Sequence, residues 1–364
     1  MRSFAANPSN LNRIIPAEGR FQGAFPPCAA IRPAHKKGHQ MRHLLCSAGL
    51  LLATPALADG PQLTVLTYDS FIAEWGPGPA VESAFEAQCA CDLRFVTGGD
   101  GAALLARLQM EGAGTQADVV LGLDTNLIVA ARATGLFAPH GVTGDFVLPM
   151  VWDDPVFLPF DWGWFAFVAR ADTPAPTSFR ALADSDLKVI LQDPRSSTPG
   201  LGLILWVKAA YGDDAAALWA DLADNIVTVT PGWSESYGLF VAGEADAVLS
   251  YATSPAYHLL AEGDAGFAAW RFDEGHGLQV EVAAMLAGTD QPDLAAQFMA
   301  FILNPAFQGV IPTTNWMFPA TALPDGLPEG FMQMATPDTL FLTPAAAAAM
   351  RDAAVDEWRA ALSQ

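Results

Sequence analysis

The chain has 364 residues, 52% of them apolar and 16% charged, so it carries enough apolar side chain to bury a sizeable core, and disorder is excluded. Its 18 Lys and Arg stand against 39 Asp and Glu, a net charge of −21 with a pI near 4.4. Such a field repels phosphate backbones and draws in cations, which excludes nucleic acid as the main partner, and the length suits two domains of ordinary size.

The charge is uneven along the chain. Residues 1–58 hold seven Lys and Arg and one acidic residue, leaving 11 basic and 38 acidic residues beyond them, a net of −27. Residues 1–40 show no periodic apolar face and mix Pro, Gly and basic residues, as an over-extended reading frame would. Residues 41–58 have the three parts of a secretory signal: Met41-Arg42-His43 at the start, a short apolar run, and Ala56-Leu57-Ala58 at the end. The run is too short to span a bilayer. Met41 is therefore the expected initiator, cleavage is expected after Ala58, and the product is expected to be exported, soluble and monomeric. Bulky Leu45 before Cys46 argues against lipid attachment.

In the mature chain residues 63–68 read as a buried strand, and a Gly/Pro loop then leads to a helix opening near Pro79. Cys89 and Cys91 follow in the pattern Cys-x-Cys, which fits either a small disulfide ring or a reactive thiol, and His140, His258 and His276 are too scattered for metal-ligand spacing. A helix is expected over 101–110 with Asp100 as N-cap, a strand over 117–123 and a helix over 126–135. This βαβα order predicts a mostly parallel sheet with helices on both faces. An aromatic-rich extended run over 156–168 closes the first unit. After the Pro-rich stretch 173–177, strands are expected over 189–192, 226–230 and 247–251, and a second extended run over 278–285 precedes apolar helices out to the C-terminus. Two extended runs bracketing a middle unit predict a chain that leaves one lobe over 59–160, builds a second over 161–277 and returns over 278–364, with a ligand cleft between the lobes.

The unusual residues fall just past strand ends: Tyr68-Asp69-Ser70, Ser197-Thr198-Pro199-Gly200, Gly232-Trp233-Ser234 and the turn Tyr251-Ala252-Thr253-Ser254-Pro255. In open α/β sheets ligands bind at the carboxyl edge of the strands, so four segments point to one place. Ser197-Thr198-Pro199 and Ser254-Pro255 each put a hydroxyl beside a Pro at a helix start, where unpaired N–H groups are exposed. Each is also what a plain helix cap looks like. Trp75, Trp233 and Trp316 lie in loops beside Gly and Pro, better placed to stack on a ligand than to fill a sheet core.

Taken together, Tyr-Asp-Ser-Phe at 68–71, Trp-Gly-Pro-Gly-Pro at 75–79, Asp-Pro-Arg-Ser-Ser-Thr-Pro-Gly-Leu-Gly-Leu at 193–203, Gly-Trp-Ser-Glu-Ser-Tyr-Gly at 232–238, Ser-Tyr-Ala-Thr-Ser-Pro-Ala-Tyr at 250–257 and Asn-Trp-Met-Phe-Pro at 315–319 resemble the periplasmic thiamine-binding proteins of bacterial ABC importers. The resemblance runs in order from Leu63 to the last helix, and the Cys-x-Cys pair fits it. It implies a type II two-lobed periplasmic-binding fold and capture of thiamine, thiamine monophosphate or thiamine diphosphate, without other cofactor or metal, for delivery to a membrane permease and its ATPase. By the same resemblance Asp100, Gly101, Ser197, Thr198 and Trp233 hold the ligand with the turn Tyr251, Ala252, Thr253 and Ser254. Tyr68, Trp75, Tyr257 and Trp316 would be its aromatic walls. The permanently cationic thiazolium and flat aminopyrimidine of thiamine suit aromatic faces and a carboxylate from Asp100, Asp69 or Asp161.

Two other readings belong to related architectures. A thiaminase-like transferase needs a thiol in the cleft, whereas Cys89 and Cys91 lie at a helix end; a ferric-ion receptor needs clustered Tyr, His and carboxylate ligands, which the spacing does not supply. Mass spectrometry of the exported protein should find Asp59 at its N-terminus; a start elsewhere would overturn the export reading.

Overall fold

The computed structural model describes residues 60–363, so the extension expected over 1–40, the export signal over 41–58 and cleavage after Ala58 lie outside the described residues. The chain opens with β1 (Gln62–Thr67), α1 (Gly78–Cys89), β2 (Asp92–Thr97), α2 (Gly101–Glu111), β3 (Val119–Asp124) and α3 (Ile128–Ala133). A short β4 (Phe137–Ala138) leads to the long β5 (Leu158–Arg170), then α4 (Phe179–Ala183), β6 (Val189–Gln192), α5 (Thr198–Tyr211), α6 (Ala215–Leu222), β7 (Ile226–Thr230), α7 (Trp233–Val241), β8 (Ala247–Tyr251), α8 (Pro255–Tyr257) and β9 (Phe267–Ala269). β10 (His276–Leu286) is followed by α9 (Pro292–Ile302), α10 (Pro305–Gln308), β11 (Phe318–Pro319), β12 (Thr339–Leu340) and α11 (Pro344–Leu362).

The strands lie in the order β2-β1-β3-β10-β5-β8-β6-β7. β1, β2 and β3 are mutually parallel, as are β6, β7 and β8, but β5 and β10 run antiparallel to each other and to β8 and β3, their neighbours in that order. The sheet is thus mixed rather than mostly parallel. A chain that crosses from one parallel group to the other and comes back must use strands of opposite direction, and those are the two extended runs of the sequence. Both are buried along nearly their whole length, which accounts for their continuous apolar character.

β2 is an element beyond those expected from the sequence, because its alternation of Leu93 and Phe95 inward with Arg94 outward is too short to stand out. Of the C-terminal helices, α9 and α10 pack on α1, while α11 packs chiefly on α5 and α6 of the second group, where Lys208 Nζ meets Glu357 Oε1 at 2.7 Å, and also against α3 of the first. Cys89 and Cys91 are joined by a disulfide with their Cα atoms 5.1 Å apart, and Ala90 between them takes the left-handed φ of +52°.

α5 is the most buried helix of the second group, with every residue from Thr198 to Val207 inside. Gly202 makes this possible, because a Cβ there would lie 2.1 Å from the Phe165 ring on β5. Gly202→Ala should therefore cost about 1–3 kcal/mol of stability through overpacking, read by denaturant unfolding. Gly238→Ala, in α7 with no atom within 4 Å of the new Cβ, should be neutral or stabilising by up to about 1 kcal/mol.

Candidate functional site

A cavity of about 390 Å³ opens where the two parallel groups meet across β5 and β10. Tyr68, Ser70, Trp75, Asp100 and Gly101 line it from the first group; Thr198, Pro199, Trp233, Tyr237, Tyr251, Ser254 and Tyr257 from the second. Glu281 of β10 and the segment Asn315-Trp316-Met317 complete it. Most of these residues stand just past the carboxyl ends of β1, β6, β7 and β8, as the sheet-edge rule requires.

The aromatic wall is built from both sides. Trp75, 51% exposed at the end of the first loop, faces Trp233 at the start of α7 with ring centroids 6.2 Å apart. Tyr237, one turn on, stacks behind Trp233 at 4.9 Å. Trp233 Nε1 donates to Ser250 Oγ at 2.8 Å, and Ser250 and Ser254 share a hydroxyl bond at 2.7 Å, so the indole is pinned by its edge, with Tyr237 against one face and the other left toward Trp75 and the cavity. Across the cleft Trp316 meets Tyr257 edge to face at 5.5 Å. Trp316 has a φ of +58°, a conformation that costs a bulky residue energy, and it is held there by its N–H on the Ile311 carbonyl and by the Thr253 hydroxyl donating to its carbonyl.

Asp100 stands at the start of α2, but its carboxylate does not cap that helix. It reaches across the cleft and accepts the Trp233 backbone N–H at 2.9 Å, supplying α7 with the cap that Gly232 cannot provide. Burial pushes the Asp100 carboxyl up to about 6, while the nearby Ser197 hydroxyl and the Trp233 N–H hold it down. Beside it Ala103 N–H donates to the Ser196 carbonyl at 3.0 Å, and Gly101 lets Thr198 approach, since a Cβ at 101 would lie 2.4 Å from Thr198 Oγ1. Asp100 is thus a tie between the two sides of the cleft.

The floor is acidic. Asp124 of β3, Glu281 of β10 and Asp161 of β5 are register partners on three adjacent strands, a row of three carboxylates with no basic side chain among the residues that line the cavity. Tyr68 OH donates to Glu281 Oε2 at 3.0 Å, Asn315 Nδ2 donates to Asp161 Oδ2 at 2.6 Å and to Tyr68 OH at 2.9 Å, and Gln279 Nε2 bridges the Tyr251 hydroxyl and Glu281 Oε1. Burial pushes Asp124 up to about 7, moderated by bonds from Asn126. Burial raises Asp161 and Glu281 as well, and the charge of Asp161 raises Glu281 further.

Of the thirteen residues expected at the site, ten line the cavity: Tyr68, Trp75, Asp100, Gly101, Thr198, Trp233, Tyr251, Ser254, Tyr257 and Trp316. The other three stand behind it. Ser197 is fully buried at the start of α5, Ala252 is buried with its N–H on the Trp164 carbonyl, and Thr253 clamps Trp316. The hydroxyls of Ser197 and Ser254 do not cap their helices; Ser254 Oγ turns back to the Tyr251 N–H instead. Glu281, Asn315 and Tyr237 were not anticipated. Glu281 carried a usable signal, a charge inside a run of apolar residues buried on both faces, where an acid needs a special partner.

The cleft tie makes a prediction. Asp100→Ala should cost about 1 kcal/mol, as losing a helix cap does, and should enlarge the radius of gyration of the ligand-free protein in small-angle scattering. Asp100→Asn keeps an acceptor and should recover most of both.

Comparison with known proteins agrees with this geometry. Residues 79–312 match the family of bacterial extracellular solute-binding proteins. The thiamine-binding periplasmic protein of Escherichia coli K12 is 54% identical over 326 residues, covering 88% of this chain and 99% of that protein. The solved structure of a periplasmic thiamin-binding protein superposes with a TM-score of 0.82 at 54% identity, covering 84% of this chain and 97% of that one. A ferric-binding protein from Campylobacter jejuni shares the fold alone, with a TM-score of 0.67 at 18% identity over 82% of this chain and 99% of its own. The chain belongs to the bacterial extracellular solute-binding proteins, where it stands beside the periplasmic thiamine-binding proteins in sequence and in fold.

Proposed function

We propose that this protein is a monomeric periplasmic receptor that captures thiamine and its mono- and diphosphate and delivers them to an ABC-type permease and its ATPase at the inner membrane. The observation that carries this reading is the make-up of the cavity: Trp75, Trp233, Tyr257 and Trp316 on its walls, Asp100 and Glu281 within it, and no Lys or Arg among its lining residues. A flat, permanently cationic ligand is what such a lining selects. Aromatic faces attract a cation by roughly 0.5–2 kcal/mol for each contact, and the carboxylates supply the counter-charge. The hydroxyethyl or phosphate tail has its place at the start of α5, a fourteen-residue helix whose first N–H groups have no side-chain cap and whose Thr198 and Pro199 face the cavity.

The reading is of binding without chemistry and without a further cofactor. A thiaminase-like reaction wants a nucleophile in the cleft, and Cys89 and Cys91 are bonded to each other at the far end of α1, outside the lining. For a ferric-ion receptor the ligands are missing: the Tyr251 and Tyr257 hydroxyls are engaged by Gln279 and Glu262, and among the described residues no three His, Cys, Asp or Glu side chains are placed to hold a metal.

Calorimetric titration with thiamine tests the reading directly, and incubation with thiamine and a nucleophile should release no thiazole. Trp233→Ala and Trp316→Ala should each weaken binding by more than about tenfold with the fold intact. Thr198→Ala should weaken the phosphate esters more than thiamine itself, since bonds to a charged group are roughly twice as strong as neutral ones; equal losses would place the anion elsewhere.

A further inference from the structure

The acid row poses a problem that the proposed function does not by itself solve. Glu281 has Asp124 on one neighbouring strand and Asp161 on the other, in direct register. All three are buried, and Asp161 Oδ1 has no hydrogen-bond partner. Like charges directly opposite on adjacent strands destabilise a sheet, and an unpaired buried carboxylate is costly. Tyr68 after β1 and Gln279 donate hydrogen bonds that steady the Glu281 carboxylate, but no group facing it brings a positive charge: Asp100 at the start of α2 is acidic, Tyr251 at the end of β8 is neutral, and Arg351 of α11 acts on Asp124 instead. Two carboxylates so placed cannot both be ionised in a dry site, and the arrangement is relieved by holding a proton between them. The same row lies open to the ligand at one point, because Glu281 lines the cavity.

We infer that Glu281 is the residue that selects for positive charge, and that the Asp161–Glu281 pair holds a proton in the empty receptor and gives it up when the cationic ring of the ligand enters. The inference rests on the thiamine reading. In the exchange one carboxyl O–H bond breaks, its proton passes to water or buffer, and the ligand's fixed charge takes its place, so the buried charge stays balanced. By linkage, a site that releases protons on binding binds more tightly as pH rises, over the range in which the empty pair is protonated and the occupied pair is not. Burial and mutual repulsion move that range above ordinary carboxyl values, toward neutral pH.

The test is calorimetry of the ligand-free full chain with thiamine at about pH 7, in two buffers of different ionisation heat. The expected result is release of roughly half to one proton per thiamine, with affinity rising roughly three- to tenfold for each pH unit around neutrality. A thiamine analogue whose thiazolium is replaced by a neutral thiophene keeps the same aminopyrimidine, so the difference in proton count belongs to the cationic ring. The parent should bind it at least about tenfold more weakly and release no proton, whereas Glu281→Gln should lose most of that preference and keep only the part that the aromatic walls and Asp100 supply. Thiamine binding with no proton exchange, or an unchanged preference for the cation in Glu281→Gln, would overturn the inference and leave the thiamine reading standing. Failure of the parent to bind thiamine would overturn both. The proton count and the analogue comparison use the parent alone, so they decide the matter even if the variant does not fold.

Discussion

The antiparallel pairing of β5 with β10 is the constraint on which the rest of the molecule depends. These two strands carry the chain from one parallel group to the other and back, so they must lie in the middle of the sheet with both faces covered. A strand in that position is desolvated along its whole length, and any polar side chain on it has to find a partner within the protein or in a ligand. Asp161, Gln279 and Glu281 are such side chains. Their hydrogen bonds to Tyr68, Tyr251 and Asn315 gather residues from distant parts of the chain around one point. The cleft is chemically distinctive because its floor is the inside of a sheet.

Two electrostatic scales act there, and they do different things. The chain beyond residue 58 carries a net charge of −27, which draws cations toward the molecule but is screened beyond roughly 8 Å at physiological ionic strength. Selection therefore belongs to the buried acids. In the dry floor a carboxylate is not screened, so its proton affinity and its attraction for a cation rise together. The aromatic rings above it exclude water and present faces that a cation also prefers.

The second group contributes rigidity. Trp233 serves both sides of the cleft at once: its backbone N–H donates to the Asp100 carboxylate, its indole N–H is fixed on Ser250, and its ring faces Trp75. Trp316 is held in a left-handed backbone conformation by contacts from Ile311 and Thr253. Both rings are thus oriented before any ligand arrives, which limits the entropy lost on binding.

Much of this was legible in the sequence, because it is local. Strands at 189–192, 226–230 and 247–251 follow from their apolar runs and flanking turns, and the loop aromatics and helix-start hydroxyls mark the cleft by their position after strand ends. The resemblance to periplasmic thiamine-binding proteins rests on the same segments. What stayed hidden depends on pairing between distant residues. That Asp100 caps α7 rather than α2, that Thr253 clamps Trp316 instead of touching the cavity, and that α11 packs chiefly on α5 and α6 while also touching α3 are decided by tertiary contacts. Glu281 is the sharpest case: the sequence shows a lone acid in an apolar strand, but only the register of three strands sets it between Asp124 and Asp161. Periodicity and turn chemistry are properties of a few consecutive residues, whereas the state of a buried carboxyl is set by the neighbours that sheet pairing brings to it and by the water it shuts out.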